Sequence, residues 1–160
     1  SPDDVTKIRV PGTAIVAPAG AVAQLPGARV VQPGDHLSLK GVEIEVVRAY
    51  NLNKFRSPGK PFHPREAGHV GYVVTVEGVR VYFAGDTDHI PEMADIRCDV
   101  AILPVSGKYV MTAEEAAEAA RTLKPSIVVP MHYGSGIGTP ADGQQFARVC
   151  DQEVVVLESD

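Results

Sequence analysis

The sequence predicts an α/β domain of mixed sheets with helices packed outside, and three observations carry that expectation. Strand-like runs outnumber helical ones, hairpin patterns fill the first half of the chain, and strand–helix–strand units fill the second. The 160 residues are 44% apolar and 22% charged, the size and balance of one globular domain with a core of its own. A single domain over residues 1–160 is therefore the expected organisation.

Each element has a local reason. SPDDVTKI reads as a short helix, with Ser1 or Asp3 as its cap and Pro2 in its first turn. Thr13 to Pro18 is a β-branched run, AGAVAQL a short helix stopped by Pro26-Gly27, and ARVVQ a strand leading to the turn Pro33-Gly34-Asp35. HLSLKG and VEIEVVRAY follow. In the second, Glu43 and Glu45 alternate with Val42, Ile44 and Val46, the period of a half-buried strand. From Asn51 to Gly68, three prolines, two glycines and many charges predict an irregular loop, long enough to point to function. HVGYVVTV, the turn at Glu77-Gly78 and VRVYFAGD form a hairpin, and Asp99 to Val105 (DVAILPV) is a buried strand. TAEEAAEAARTL is a helix with Thr112 as N-cap and Glu115 completing a capping box; Lys124-Pro125 ends it. Its alanines face the packing side and its glutamates face solvent. SIVVPMHYG is a strand, about Ala141 to Val149 a helix, and EVVVLE a last strand.

Composition excludes some functions. A net charge of −5 without Lys/Arg clusters argues against binding a nucleic-acid backbone. No apolar run is long enough to span a bilayer and the N-terminus lacks the layout of a signal peptide, so a cytoplasmic location is expected. Cys98 and Cys150 lie far apart with no C-x-x-C spacing, and read as small buried side chains rather than ligands or a disulfide.

Two apolar strands deliver polar residues at their ends: VYFAG runs into Asp86, Thr87, Asp88 and His89, and IVVPM into His132 and Tyr133. A strand end holds a side chain with little positional error. With His63 from the long loop, Asp86 and His132 form a candidate set of carboxylate and imidazole ligands that zinc, iron or manganese accepts. His69 reads as a cap of the hairpin, His36 as a surface residue beside a turn, Asp88 as a brace for the turn after Asp86 and Met131 as core.

AYNLNK, FHP, GYVV, VYFAGDTDHIPEM, DVAILPV, MTAEEAAEA and VVPMHYG occur in the order seen in metallo-β-lactamase-fold hydrolases. The chain resembles the branch containing ascorbate-phosphate lactonase and N-acylphosphatidylethanolamine phospholipase D. That resemblance implies an αβ/βα sandwich with one or two metal ions, usually zinc, with manganese or iron as alternatives. It implies hydrolysis of an ester, lactone or phosphodiester in a small-molecule substrate by a metal-activated hydroxide. By position, Asp86 matches the bridging carboxylate and His132 the last histidine ligand, both catalytic. His63 stands in for the histidine that many members place where this chain has Asn51. His89 and Tyr133 are expected at the substrate, and Asp88 as a partner that orients a ligand imidazole. The family's His-x-His-x-Asp-His motif is absent, and SPDDV, which follows it in relatives, opens this sequence. The expectation is thus the C-terminal two-thirds of the domain, metal-poor and inactive alone, with an uncovered face that favours self-association or a companion chain. A non-catalytic remnant of the same fold is the alternative.

Overall fold

The computed structural model describes residues 1–134 and 136–157. Helix α1 (Pro2–Ile8) is capped by Ser1, which accepts from the Asp4 amide, and buries nothing. Strand β1 (Val16–Pro18), the single turn α2 (Ala19–Val22) and β2 (Arg29–Val31) form a small parallel pair. Next come β3 (His36–Leu39), β4 (Val42–Arg48), β5 (Phe55–Ser57) and β6 (Lys60–Pro61). Strands β7 (Val70–Val76) and β8 (Val79–Phe83) form the expected hairpin, followed by β9 (Val100–Pro104) and α3 (Ala113–Leu123). Then β10 (Ile127–Met131), α4 (Pro140–Val149) and β11 (Glu153–Val154) complete the described chain. No helix is long and apolar enough to cross a membrane among the described residues.

Seven strands make one mixed sheet in the order β11-β10-β9-β8-β7-β4-β3. The half from β8 to β11 is parallel and the half from β3 to β8 antiparallel, as the change from hairpins to strand–helix–strand units requires. The pleat sorts the side chains. Across one face lie Val73, Tyr82, Ala101 and Val128, all buried beneath α3 and α4. The buried alanines of α3 (Ala116, Ala117, Ala119 and Ala120) let the helix sit close on that sheet. Across the other face runs an equally apolar row, Val46–Tyr72–Phe83–Ile102–Val129, beside Ile44–Val74–Val81–Val100–Ile127. The β1–β2 pair covers its β3–β4 end through Val31, Leu37 and Val46, while Phe83 stays 44% exposed. Alternation cannot produce two apolar faces on a sheet with only one side covered, so the second face has the composition of a buried surface.

Three local expectations are corrected. The segment after Asn51 is not wholly irregular: β5 and β6 pair antiparallel and a 3-10 turn occupies Arg65–Ala67. The helix expected over AGAVAQL is one turn, and the last strand covers only Glu153–Val154.

Candidate metal centre

The topology brings five chain positions to one sheet edge. Strands β4, β8, β9 and β10 all run toward it and β7 starts from it, so Asn51, Asp86, Ser106 and His132 follow strand ends there and His69 precedes a strand start. Gly85 lets Asp86 reach its place. Its φ is +69°, and a Cβ there would lie 2.9 Å from the Val70 carbonyl oxygen. Behind the turn, Thr87 donates to the Tyr50 carbonyl and accepts from the Tyr50 amide (3.1 Å each), stitching the β8 end to the β4 end.

Asp86 sits between two imidazoles. His63 Nε2 lies 3.3 Å from Asp86 Oδ2, and His132 Nε2 lies 3.5 Å from Asp86 Oδ1. The His63 tautomer follows from its neighbours. The Asn51 amide nitrogen donates to Asp88 Oδ1 and to the Tyr109 carbonyl, both at 3.0 Å. Its oxygen therefore faces the His63 backbone N–H (2.8 Å) and Nδ1 (3.0 Å), and Nδ1 must carry the proton. In the neutral ring Nε2 then points a lone pair at a carboxylate oxygen. Two acceptors in van der Waals reach are resolved only by a cation between them: a second proton on the ring, or a metal ion. His63 beside it holds the Asp86 carboxyl below the ordinary carboxylate value; partial burial opposes this, and His132 adds to it.

His132 adopts φ +56°, a left-handed conformation that costs a non-glycine residue about 1–2 kcal/mol. Its Nδ1 lies 3.1 Å from Ser106 Oγ at the end of β9. Strain of this kind persists where the surroundings fix the residue, and it concentrates at functional sites. Exposed His69 meets the His63 ring edge to face at 5.3 Å, closer to the centre than a hairpin cap needs. Crowding by its neighbours and then the field of His63 lower its pKa. His36 is exposed on β3, as expected.

Asp88 is 2% exposed and accepts from the amides of Leu52 (2.6 Å) and Asn53 (2.9 Å) as well as from Asn51. It braces the loop start and, through Asn51, His63. The loop is held again by Lys54, whose side chain is 11% exposed and reaches both oxygens of Glu115 (2.9 and 2.6 Å). Glu115 also caps Thr112, so α3 is more than scaffold. Burial works against the Glu115 charge, but Lys54, the Thr112 amide and Asn53 outweigh it and lower its pKa.

The two residues expected at the substrate have other partners in this structure. His89 turns to α3, with Nε2 2.9 Å from Thr122 Oγ1. The Tyr133 ring lies against Gly143 of α4, where an added Cβ would come within 2.7 Å of it, and it packs on the core. Asn51, Ser106, Lys54 and Tyr109 are the contributors that residue types alone did not reveal. Ser106 had a usable signal, since it follows the third buried strand at the same edge.

Tetrahedral zinc with bonds of about 2.0–2.2 Å places neighbouring donors about 3.3–3.5 Å apart, so both His–Asp separations suit adjacent ligands of one ion. No three His, Cys, Asp or Glu side chains converge on a single point among the described residues. The donors form two pairs that share Asp86, one with His63 and one with His132.

Comparison with known proteins gives the family. Residues 3–132 match the Beta-lactamase superfamily domain. A UPF0173 metal-dependent hydrolase of Pyrococcus horikoshii is 33% identical over 162 residues, covering 88% of this chain and 72% of that protein. Another from Thermococcus kodakarensis is 41% identical over 95 residues, 55% of this chain and only 42% of that protein's length. A crystal structure assigned as a metal-dependent hydrolase from Parabacteroides distasonis superposes with a TM-score of 0.84 at 34% identity, covering 100% of this chain and 71% of its own. Igni18, a metallo hydrolase from Ignicoccus hospitalis, gives 0.74 at 27% identity, covering 98% and 70%. The chain belongs to the β-lactamase superfamily and, within it, to the UPF0173 metal-dependent hydrolase family.

Proposed function

We propose that this chain contributes part of the metal centre of a metal-dependent hydrolase, which Asp86, His63 and His132 would hold, with one imidazole at each Asp86 oxygen. The observation that carries this reading is one carboxylate with an imidazole Nε2 facing each of its oxygens. Relatives named as metal-dependent hydrolases support it. An ester, lactone or phosphodiester substrate is drawn from the resemblance to the lactonase and phospholipase D branch, and zinc is the first metal to test, then manganese and iron.

When bound, the metal supplies Lewis-acid polarisation and lowers the pKa of water. The chain's own residues do the positioning. Asn51 keeps the His63 Nε2 lone pair turned to the centre, Asp88 holds Asn51, and Ser106 steadies His132. The Asp86 side chain is 43% exposed, so the centre is open to a solvent-borne substrate.

Two protein ligands per ion fall short of the three or four of a tight zinc site. We assign the remainder to a His-x-His-x-Asp-His segment in the part of the relatives this chain does not span. The uncovered apolar face around Phe83 supports that assignment, as does the 71% coverage of the Parabacteroides chain. The lack of a three-ligand cluster among the described residues also favours a second reading, a scaffold or subunit that binds metal weakly or not at all. Zinc calorimetry and hydrolysis of bis(4-nitrophenyl) phosphate and a lactone, run on this chain and on a longer form carrying the motif, separate the readings. We expect weak binding without turnover from the chain alone. From the longer form we expect tight binding and turnover that Asp86→Ala abolishes. Tight stoichiometric binding by the 160 residues would show that the ligands are misassigned, and a longer form without turnover would establish the scaffold.

A further inference from the structure

A row of rings leads outward from the Asp86 centre. The Tyr109 ring meets the His132 ring edge-on at 6.5 Å between centroids, and Phe62 meets Tyr109 edge-on at 4.8 Å. Each of the outer two rings carries a cation: Lys108 Nζ lies 5.0 Å from the Tyr109 centroid and Arg56 Cζ lies 5.7 Å from that of Phe62. Both cations are exposed, and among the described residues neither has a carboxylate partner, whereas Lys54, Arg65, Arg80 and Arg121 all do.

This row is built rather than incidental. The Tyr109 carbonyl accepts from buried Asn51, the residue that fixes His63, and the Phe62 amide donates to the Lys54 carbonyl at 3.1 Å. Lys54 is itself clamped to Glu115. The parts that hold the centre therefore also hold the rings.

Resting on the metal-centre reading above, we propose that Arg56, Phe62, Lys108 and Tyr109 form the substrate-recognition wall of the centre. The substrate class it selects is an organic anion, phosphate or carboxylate, whose charge adjoins a flat or apolar group. A cation laid over a ring keeps its outward N–H groups for a ligand, and the ring beside it offers an apolar surface, so the two are satisfied together by a group bearing both characters. A neutral ligand would use the rings and leave the cations in water. A bare anion would use the cations and leave the rings.

The test is equilibrium binding, which needs no turnover. Calorimetry of the wild-type chain and of the Arg56→Gln/Lys108→Gln double variant uses phenylphosphonate, phenylacetate, benzyl alcohol and inorganic phosphate, first in chelator and then with zinc. The wall predicts that one of the two aromatic anions binds at least about tenfold tighter than benzyl alcohol and inorganic phosphate, already in chelator. The double variant should lose about tenfold for that anion and nothing for benzyl alcohol, with an unchanged melting temperature because both side chains are exposed. Preference for phenylphosphonate marks a phosphoester substrate, and preference for phenylacetate marks a carboxylate one. Equal affinity for charged and neutral probes, inorganic phosphate matching the aromatic anions, or an unaffected double variant would each overturn the wall. Selective binding in chelator, together with a longer form carrying the motif that takes up no zinc, would keep the wall and sink the metal reading.

Discussion

Asn51→Ala is the perturbation that most directly tests how the centre is held. The amide is 6% exposed and makes four contacts: it donates to Asp88 and the Tyr109 carbonyl and accepts from the His63 amide and His63 Nδ1. An intramolecular hydrogen bond contributes about 1 kcal/mol net, and a buried partner left unsatisfied costs about 1–3 kcal/mol. His63 and Tyr109 are half-buried, so water replaces part of what is lost, and we expect a total of about 2–4 kcal/mol. For a chain of this size that lowers the melting temperature by about 5–15 °C. The chemical consequence is separate from the thermal one. With no acceptor at Nδ1, the neutral His63 ring is free to move its proton to Nε2 and donate to Asp86, which removes the lone pair a metal would use. Thermal unfolding by circular dichroism reads the first effect, and nitrogen-15 NMR of the histidine rings in metal-free protein reads the second. Zinc affinity of any form that binds zinc should fall about 10–100-fold. The reasoning fails if neutral wild-type His63 carries its proton on Nε2, or if Asn51→Ala changes neither the tautomer nor the melting temperature.

Lys54→Met should loosen the loop that carries His63, lowering the melting temperature at pH 7. Because Glu115 has a lowered pKa in the folded chain, that pair stabilises above the ordinary glutamate value of 4.5 and its contribution is lost as pH falls through the folded value. The gap between wild type and variant should therefore close in acid, and a gap independent of pH would refute the ion pair's role. Burial pushes the Cys98 thiol up to about 11. At pH 8 its thiolate fraction is then about a hundredfold below that of an unperturbed cysteine, so alkylation should be slow and should climb with pH past 10 without a plateau. Rapid labelling at pH 8 would show that the thiol is not buried in solution.

What could be read in the sequence follows from the range of the forces involved. The capping box of Thr112 and Glu115 acts over three residues, and strand alternation is a local pattern, so α3 and β4, β7, β8, β9 and β10 were legible. The meeting of Asp86 and His132 followed from two buried strands ending in polar residues, since parallel neighbours end on one edge. The β5–β6 pair was hidden because its support comes from Lys54 reaching Glu115, 61 residues away. Asn51 looked like a vacated ligand position; its partners Asp88 and Tyr109 lie 37 and 58 residues on, and no local pattern announces them. The contact of Tyr133 with Gly143 was hidden for a stereochemical reason. The left-handed turn at His132 sends consecutive side chains in unrelated directions, and the missing side chain at Gly143 makes room for the ring.

The arrangement at Asp86 is held against its own electrostatics. A neutral His63 and an ionised Asp86 present lone pairs to each other at 3.3 Å, and a free loop would swing the imidazole away. Three separate anchors prevent that: Asn51 grips both the ring and its backbone amide, Asp88 fixes the loop start through two amides, and Lys54 ties the next turn to α3. On the far side, His132 is kept in a left-handed conformation with its second nitrogen on Ser106. Local preference and global structure agree over the rest of the sheet and part company here. A fold that commits hydrogen bonds to holding two acceptors together supports the metal centre proposed above.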